Sequence, residues 1–118
     1  MKRIVTAVCL LLASASTCWA NSFVNNVTVV GIKVDSNGKA VITFSAPITG
    51  LAGCAVAFYN SSYAVDTTTN GGKSVMSIAN AAMLAGQTIQ HAGGANACTL
   101  YPNTAEDLLT ICVGGGQC

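Results

Sequence analysis

The chain of 118 residues is 52% hydrophobic and 8% charged, carries a formal charge of +1 and contains six cysteines. Its length allows one domain, and its apolar content argues against a disordered chain. So small a charged fraction excludes a broad basic or acidic surface, and nucleic acid is therefore not expected as a partner.

The first 20 residues are predicted to be a cleaved export leader. Met1–Arg3 is cationic, Ile4–Ala13 is apolar, and Ala20 is a small residue of the kind that signal peptidase requires beside its cut. The apolar run is about half the length that spans a bilayer, which disfavours a membrane anchor. We expect 21–118 to be a single small domain, exported through the Sec pathway to the periplasm or beyond and free of the membrane after processing.

The mature chain is expected to be nearly neutral. It keeps three lysines and four acidic residues, for a net charge of −1, and it contains neither arginine nor tryptophan. Without arginine it cannot bind phosphate through two parallel hydrogen bonds from one side chain. A surface rich in Asn, Gln, Ser and Thr suits a glycan, a neutral protein surface or a second copy of the chain.

The first half of the mature chain predicts short strands. Val27–Val34 and Ala40–Ser45 flank Asn37-Gly38, and an Asn-Gly pair between two β-rich runs is a strong hairpin signal. Cys54–Tyr59 is predicted as a third strand because Ala55 and Ala57 alternate with Val56 and Phe58, with Tyr63–Val65 as an extension beyond a turn.

The second half predicts a helix followed by strands. Lys73–Ala85 repeats its apolar residues at three- and four-residue steps, and Gly86 stands where a left-handed helix cap is expected. Thr88–His91 and Cys98–Tyr101 are short strand candidates, and Leu108–Val113 is a strong one.

This element order predicts an α+β, mainly β fold. Three strands, a helix and two or three further strands match a five-stranded barrel-like sheet of the oligonucleotide/oligosaccharide-binding (OB) kind, with its helix between strands three and four. An open α+β sheet with the helix on one face is the alternative that the same order permits.

Four cysteines of the mature chain predict two disulfides. Cys54, Cys98, Cys112 and Cys118 would meet an oxidising compartment after export, and three pairings are possible. The flexible run Gly114–Gly116 favours a short loop between Cys112 and Cys118, which leaves Cys54 with Cys98. A metal site is disfavoured because the chain has no CxxC pair and one histidine.

No residue set specifies a reaction, so we predict no enzyme and no cofactor. His91 lacks a recognisable nucleophile or orienting carboxylate and is interpreted as a solvent-facing strand residue. Glu106 and Asp107 are adjacent, so on a strand they point to opposite faces and cannot act as a carboxylate pair. We interpret both as solubilising charges.

Three tyrosines are the candidate ligand contacts. Tyr59, Tyr63 and Tyr101 each offer an apolar ring face and a hydroxyl, which suit a sugar or a protein partner. The simpler interpretation is that they half-cover the core and expose only their hydroxyls.

Several short motifs carry a family resemblance. In chain order they are the predicted turn Ser36–Lys39, Cys54, the pair Gly72-Lys73 at the helix start, the segment Ala85–Ile89 at the helix end, and Cys98. This pattern resembles small exported bacterial proteins that are similar to the B subunits of subtilase-type AB5 toxins. The resemblance implies an OB fold, rings of five subunits and glycan binding, but no sugar-contacting residue matches a motif of this chain.

The sequence therefore predicts a secreted or periplasmic non-enzymatic binding module, toxin-B-subunit-like, for a glycan or a protein, with self-association into a homo-oligomer. The alternative from a different class is a periplasmic structural or inhibitory protein with no small-molecule ligand.

Overall fold

The computed structural model describes residues 21–115 and 118, so the predicted leader lies outside the described residues. Within these described residues, six strands and one long helix follow in chain order, with a short 3₁₀ helix before the fourth strand. These elements are β1 (Phe23–Val27), β2 (Val29–Val34), β3 (Lys39–Phe44), the 3₁₀ helix (Ala57–Tyr59), β4 (Ser62–Asp66), α1 (Asn70–Ala85), β5 (Ile89–Gly94) and β6 (Glu106–Val113).

The six strands form one curled, half-barrel sheet in the order β1-β5-β6-β4-β3-β2. All neighbours are antiparallel except β4 and β6, which are parallel. The curl has a simple cause, because β1 and β2 lie at opposite ends of this order yet are separated only by Thr28. Val27 pairs with Ile89 while Val29 pairs with Phe44, so one residue joins the two ends of the sheet.

The core lies between the inner face of the curled sheet and the helix. Its centre is an edge-to-face pair of rings, Phe44 and Tyr63, whose centroids are 6.0 Å apart. The helix presents Met76, Ala79 and Ala82 to this core, spaced three residues apart along one face. Small residues at two of these positions let the helix approach the sheet closely.

The helix begins three residues earlier than the predicted Lys73 and ends where predicted. The Thr69 side chain caps the first turn by accepting from the Gly72 amide at 3.0 Å, so the helix includes both glycines of the Gly71-Gly72 pair. At the other end Gly86 takes a left-handed φ of 63°, which confirms the predicted cap.

Two predicted strands are wrong. Residues 54–59 form a loop and the 3₁₀ helix. The strand that follows the β2–β3 hairpin is instead β4, which contains the segment Tyr63–Val65 that was predicted only as an extension. The alternation over 54–59 misleads because this segment pairs with a loop: the Val56 amide donates to the Thr104 carbonyl at 2.9 Å. Cys98–Tyr101 is also a loop, in which Tyr101 forms a single bridge to Ala105.

The other β predictions are confirmed with changed bounds. The β2–β3 hairpin turns at Gly38, whose φ is +85°. The predicted strand Val27–Val34 corresponds to β2, while β1, which ends at Val27, was not predicted and gives six strands instead of five. Strand β5 runs three residues beyond His91, and β6 begins at Glu106, two residues before the predicted start.

Both predicted disulfides are confirmed. The long bridge joins Cys54 and Cys98 with a Cα–Cα distance of 6.1 Å, and the short bridge joins Cys112 and Cys118 at 5.7 Å. These separations are ordinary for disulfides. In the part of the chain that the structure describes, no helix combines the length and apolarity needed to cross a bilayer.

Candidate functional site

Two loops at one end of the half-barrel are held together by covalent and hydrogen bonds. One contains Val56 and the 3₁₀ helix, and the other joins β5 to β6. The long bridge links them, and the hydrogen bond between Val56 and Thr104 adds a second connection. Because Tyr59 lies on the first loop and Tyr101 on the second, this connection brings two of the three candidate tyrosines to one region of the surface.

We call this region the aromatic patch and define it by Lys33, Asp35, Phe58, Tyr59 and Tyr101. Phe58 is 84% exposed, and its ring meets the Tyr59 ring edge-to-face with centroids 5.0 Å apart. An exposed phenyl ring that the fold holds against a second ring offers a flat apolar face to a ligand at little conformational cost.

Polar groups surround Tyr101 within the aromatic patch. Its hydroxyl donates to Asp35 Oδ2 at 2.5 Å, and Lys33 Nζ lies 3.2 Å from Asp35 Oδ1. The same ammonium stands 5.7 Å from the centroid of the Tyr101 ring. The lysine and the aspartate cancel in charge, so the patch combines hydrogen-bonding groups with an apolar ring and carries no net charge.

The protonation states in the aromatic patch follow from these contacts. Burial and the hydrogen bond to Asp35 raise the pKa of Tyr101 to about 12. The hydrogen bond from Tyr101, followed by the contact with Lys33, lowers the pKa of Asp35. At neutral pH Tyr101 therefore keeps its proton and donates it to Asp35, which leaves the phenol oxygen and the carboxylate as acceptors for a ligand.

Tyr63 is not part of this surface, which removes it from the candidate ligand contacts. Its side chain is fully buried in the core. The Tyr63 hydroxyl lies 2.8 Å from Ser22 Oγ, and burial raises the pKa of Tyr63 to about 12. The sequence could not indicate that Tyr63 is buried, because a tyrosine residue type is compatible with both exposed and buried positions.

Glu106 is not a solubilising charge, contrary to the prediction. It is fully buried, and three donors surround its carboxylate. Oε1 accepts from the Ala52 amide at 2.6 Å, while Oε2 accepts from the Asn96 amide at 3.1 Å and from the Ser22 hydroxyl. Because the Ser22 proton is used here, the Ser22 oxygen accepts from Tyr63. Gly94 leaves room for this network, since a Cβ there would overlap Glu106 and Ser22.

Asp107 lies on the opposite side of β6, as the alternation of a strand requires. Its carboxylate accepts from the amides of Thr99 and Leu100 and so fixes the loop before Tyr101. His91 faces Asn25 across the β1–β5 pair, with Nδ1 2.7 Å from Asn25 Oδ1. The two carboxylates and the imidazole are therefore engaged in separate contacts.

Sequence analysis missed Phe58, Asp35 and Lys33 as site residues. The hairpin turn was recognised, but nothing local indicates that Asp35 at its start meets a tyrosine 66 positions away. Within residues 21–115 and 118, no three His, Cys, Asp or Glu side chains form a group that could hold a metal ion.

Comparison of the chain with protein-family models, curated proteins and solved structures finds no match. The resemblance to toxin B subunits therefore has no support from these comparisons, and function has to be argued from the surface itself.

Proposed function

We propose that this protein is an exported, non-enzymatic binding module for neutral glycans and that the aromatic patch is its ligand site. The observation that carries the proposal is Phe58, a phenyl ring 84% exposed and held edge-to-face against Tyr59. The long bridge joins its loop to the loop of Tyr101, whose hydroxyl meets the Asp35 carboxylate. A sugar has apolar C–H faces and peripheral hydroxyls, and this combination of groups complements both.

The topology supports an OB-like assignment. If β1 and β2 are counted as one bent strand, the sheet has five strands with the helix between the third and the fourth. In OB folds the loops between strands one and two and between strands four and five bind oligosaccharides or oligonucleotides. Asp35 lies on the first of these loops and Tyr101 on the second, and the low charge favours the sugar over the nucleic acid.

The two bridges support export, because disulfides form and persist in oxidising compartments. The non-enzymatic part of the proposal is supported by the separation of the acidic and imidazole groups, since acid–base chemistry needs them within reach of one substrate. In its toxin-B-like form the proposal includes a ring of identical subunits, each presenting one aromatic patch.

A glycan array with matched surface variants tests the proposal. Phe58→Ala removes the exposed ring, and Leu84→Ala, at a residue 85% exposed on the helix, is the control of equal exposure. We expect wild type and Leu84→Ala to bind the same neutral glycans. Phe58→Ala should lose at least about tenfold in affinity, the size expected for a central aromatic contact.

A folded wild-type protein that binds nothing on a broad array would overturn the proposal and favour the structural or inhibitory alternative. Equal losses for Phe58→Ala and Leu84→Ala would remove the aromatic patch as the site. Light scattering tests the ring separately: a pentamer supports the toxin-B-like form, and a monomer restricts the proposal to one aromatic patch per molecule.

A further inference from the structure

A second polar surface lies along the β1–β5 pair, away from the aromatic patch. Two cavities of about 380 and 320 Å³ adjoin there, and both are lined by Asn26 and Gln90. We call this surface the amide groove and define it by six side chains, Asn25, Asn26, Gln87, Thr88, Gln90 and His91; Gly114, Gly115 and Cys118 complete the lining among the described residues. Four of the six are primary amides, and none is a lysine or a carboxylate.

The amide groove contains an imidazole nitrogen ready to accept a hydrogen bond. His91 Nδ1 lies 2.7 Å from the side-chain oxygen of Asn25, so in the neutral ring this nitrogen carries the proton and donates it. Nε2 is then the acceptor. Among the residues that the structure describes, Nε2 has no hydrogen-bond partner, and His91 is only partly buried beside the smaller cavity.

Asn26 is held in an unusual backbone conformation where both cavities meet. Its φ is 52°, in the left-handed region that asparagine tolerates better than most residues. This conformation comes at the passage from β1 to β2, where the chain crosses between the two ends of the sheet. The fold therefore places the Asn26 amide, like that of Gln90, at the junction of the two cavities.

We propose that the amide groove is a second binding site and that it takes an uncharged sugar. Each hydroxyl of a sugar both donates and accepts, and primary amides complement this by doing the same. An acidic sugar is disfavoured because the groove has no cationic side chain to pair with a carboxylate. An extended peptide is disfavoured because peptide grooves need apolar pockets for alternate side chains, and these six side chains provide none.

This site is independent of the aromatic patch and differs from it in chemistry. The patch would bind by ring stacking, whereas the groove would bind through hydrogen bonds alone. A monosaccharide in an open polar groove is expected to bind with a Kd on the order of millimolar. Two such sites on one subunit would let it engage two sugars of one branched glycan, which raises the overall affinity.

Solution NMR of the isotope-labelled, oxidised protein tests the proposal. Galactose and N-acetylglucosamine serve as neutral probes, N-acetylneuraminic acid as the acidic probe and a polyalanine peptide as the extended probe. We expect a neutral sugar to shift the side-chain amide signals of Asn26 and Gln90 and the imidazole signals of His91. His91→Phe, which keeps a ring but removes the acceptor, should weaken this binding by about three- to tenfold.

Two further variants make the result decisive. Asn26→Asp keeps the size of the side chain and its tolerance of positive φ but removes the amide donor, so it should weaken binding to a similar extent if it is folded by its amide spectrum. Phe58→Ala should leave the groove shifts unchanged, which separates this site from the aromatic patch. The proposal is overturned if neutral sugars leave the groove signals unmoved, if only the acidic sugar or the peptide moves them, or if Phe58→Ala abolishes the shifts.

Discussion

The buried carboxylate of Glu106 should contribute strongly to the stability of the fold, and Glu106→Gln tests this with the smallest change of shape. In the wild type every group facing the carboxylate is a donor: the Ala52 amide, the Asn96 amide and the Ser22 hydroxyl. A glutamine can place its oxygen toward only one of the two backbone amides. Its own NH₂ group then faces the other amide, so a buried donor meets a buried donor.

The expected loss is about 3 kcal/mol. A hydrogen bond to a charged group contributes about 1.5–3 kcal/mol, and an unsatisfied buried donor costs about 1–3 kcal/mol. The Ser22 hydroxyl can rotate and accept from the new NH₂ group, which offsets part of this cost. For a domain of about 100 residues, each 1 kcal/mol lowers the melting temperature by about 4–8 °C, so a fall of about 12–24 °C is expected.

Thermal and urea unfolding at neutral pH, with both bridges intact, measure the effect. Asp66→Asn is the matched control, because Asp66 is only partly buried and its Oδ1 accepts from the Thr68 amide and hydroxyl, bonds that the asparagine oxygen keeps. The control should melt close to wild type. If Glu106→Gln also unfolds within about 0.5 kcal/mol of wild type, the inference that the Glu106 network stabilises the fold is wrong.

The remaining predictions concern the helix start, the bridges and the tyrosines. Gly72→Ala should lower the free energy of unfolding in urea by more than about 2 kcal/mol, because a Cβ there overlaps the Asp66 carbonyl. Gly71→Ala, whose Cβ meets open space, should instead raise it by about 0.5–1 kcal/mol. Effects of the same sign would contradict this reasoning. Replacing the cysteines of the long bridge by alanine should cost about 4 kcal/mol in urea unfolding and those of the short bridge about 2.5 kcal/mol, and the reverse order would refute the loop-length argument. Stability should fall between about pH 10 and pH 12, because tyrosines of the unfolded chain ionise near pH 10 while Tyr63 and Tyr101 in the fold keep their protons up to about pH 12. The stabilisation from these two raised pKa values is fully present below pH 10. Tyr101→Phe should reduce the loss of stability at alkaline pH.

Local signals were sufficient where neighbouring residues determine the conformation. The Asn-Gly turn, the helical periodicity of Lys73–Ala85 and the Gly86 cap act within a few residues, so the sequence predicted them correctly. The cysteine pairing was also accessible because three glycines between Cys112 and Cys118 indicated a short loop. The helix start was missed because two consecutive glycines obscured the cap that Thr69 provides.

The third strand shows where local signals fail. Alternation over 54–59 is as regular as in a true strand, yet strand formation needs a partner strand, and Val56 pairs with Thr104 in a loop instead. Strand β1 was missed for the opposite reason. Strand β1 contains Asn25 and Asn26, and asparagine is a residue type depleted in strands, but pairing with β5 holds the segment in the sheet.

The sequence by itself determined the one-domain size, the near-neutral charge, the mainly β class with one helix and the cysteine framework. These depend on composition and short-range periodicity, which the sequence carries directly. The tertiary structure alone decided that Glu106 and Tyr63 are buried while Tyr101 meets Asp35 and His91 meets Asn25. The contacts of Tyr63 with Ser22, Tyr101 with Asp35 and His91 with Asn25 each join residues more than 40 positions apart, and the curl of the sheet brings them together. The low charged fraction of the chain is reflected in both surfaces: the charges of the aromatic patch balance, and the six side chains that define the amide groove carry no formal charge.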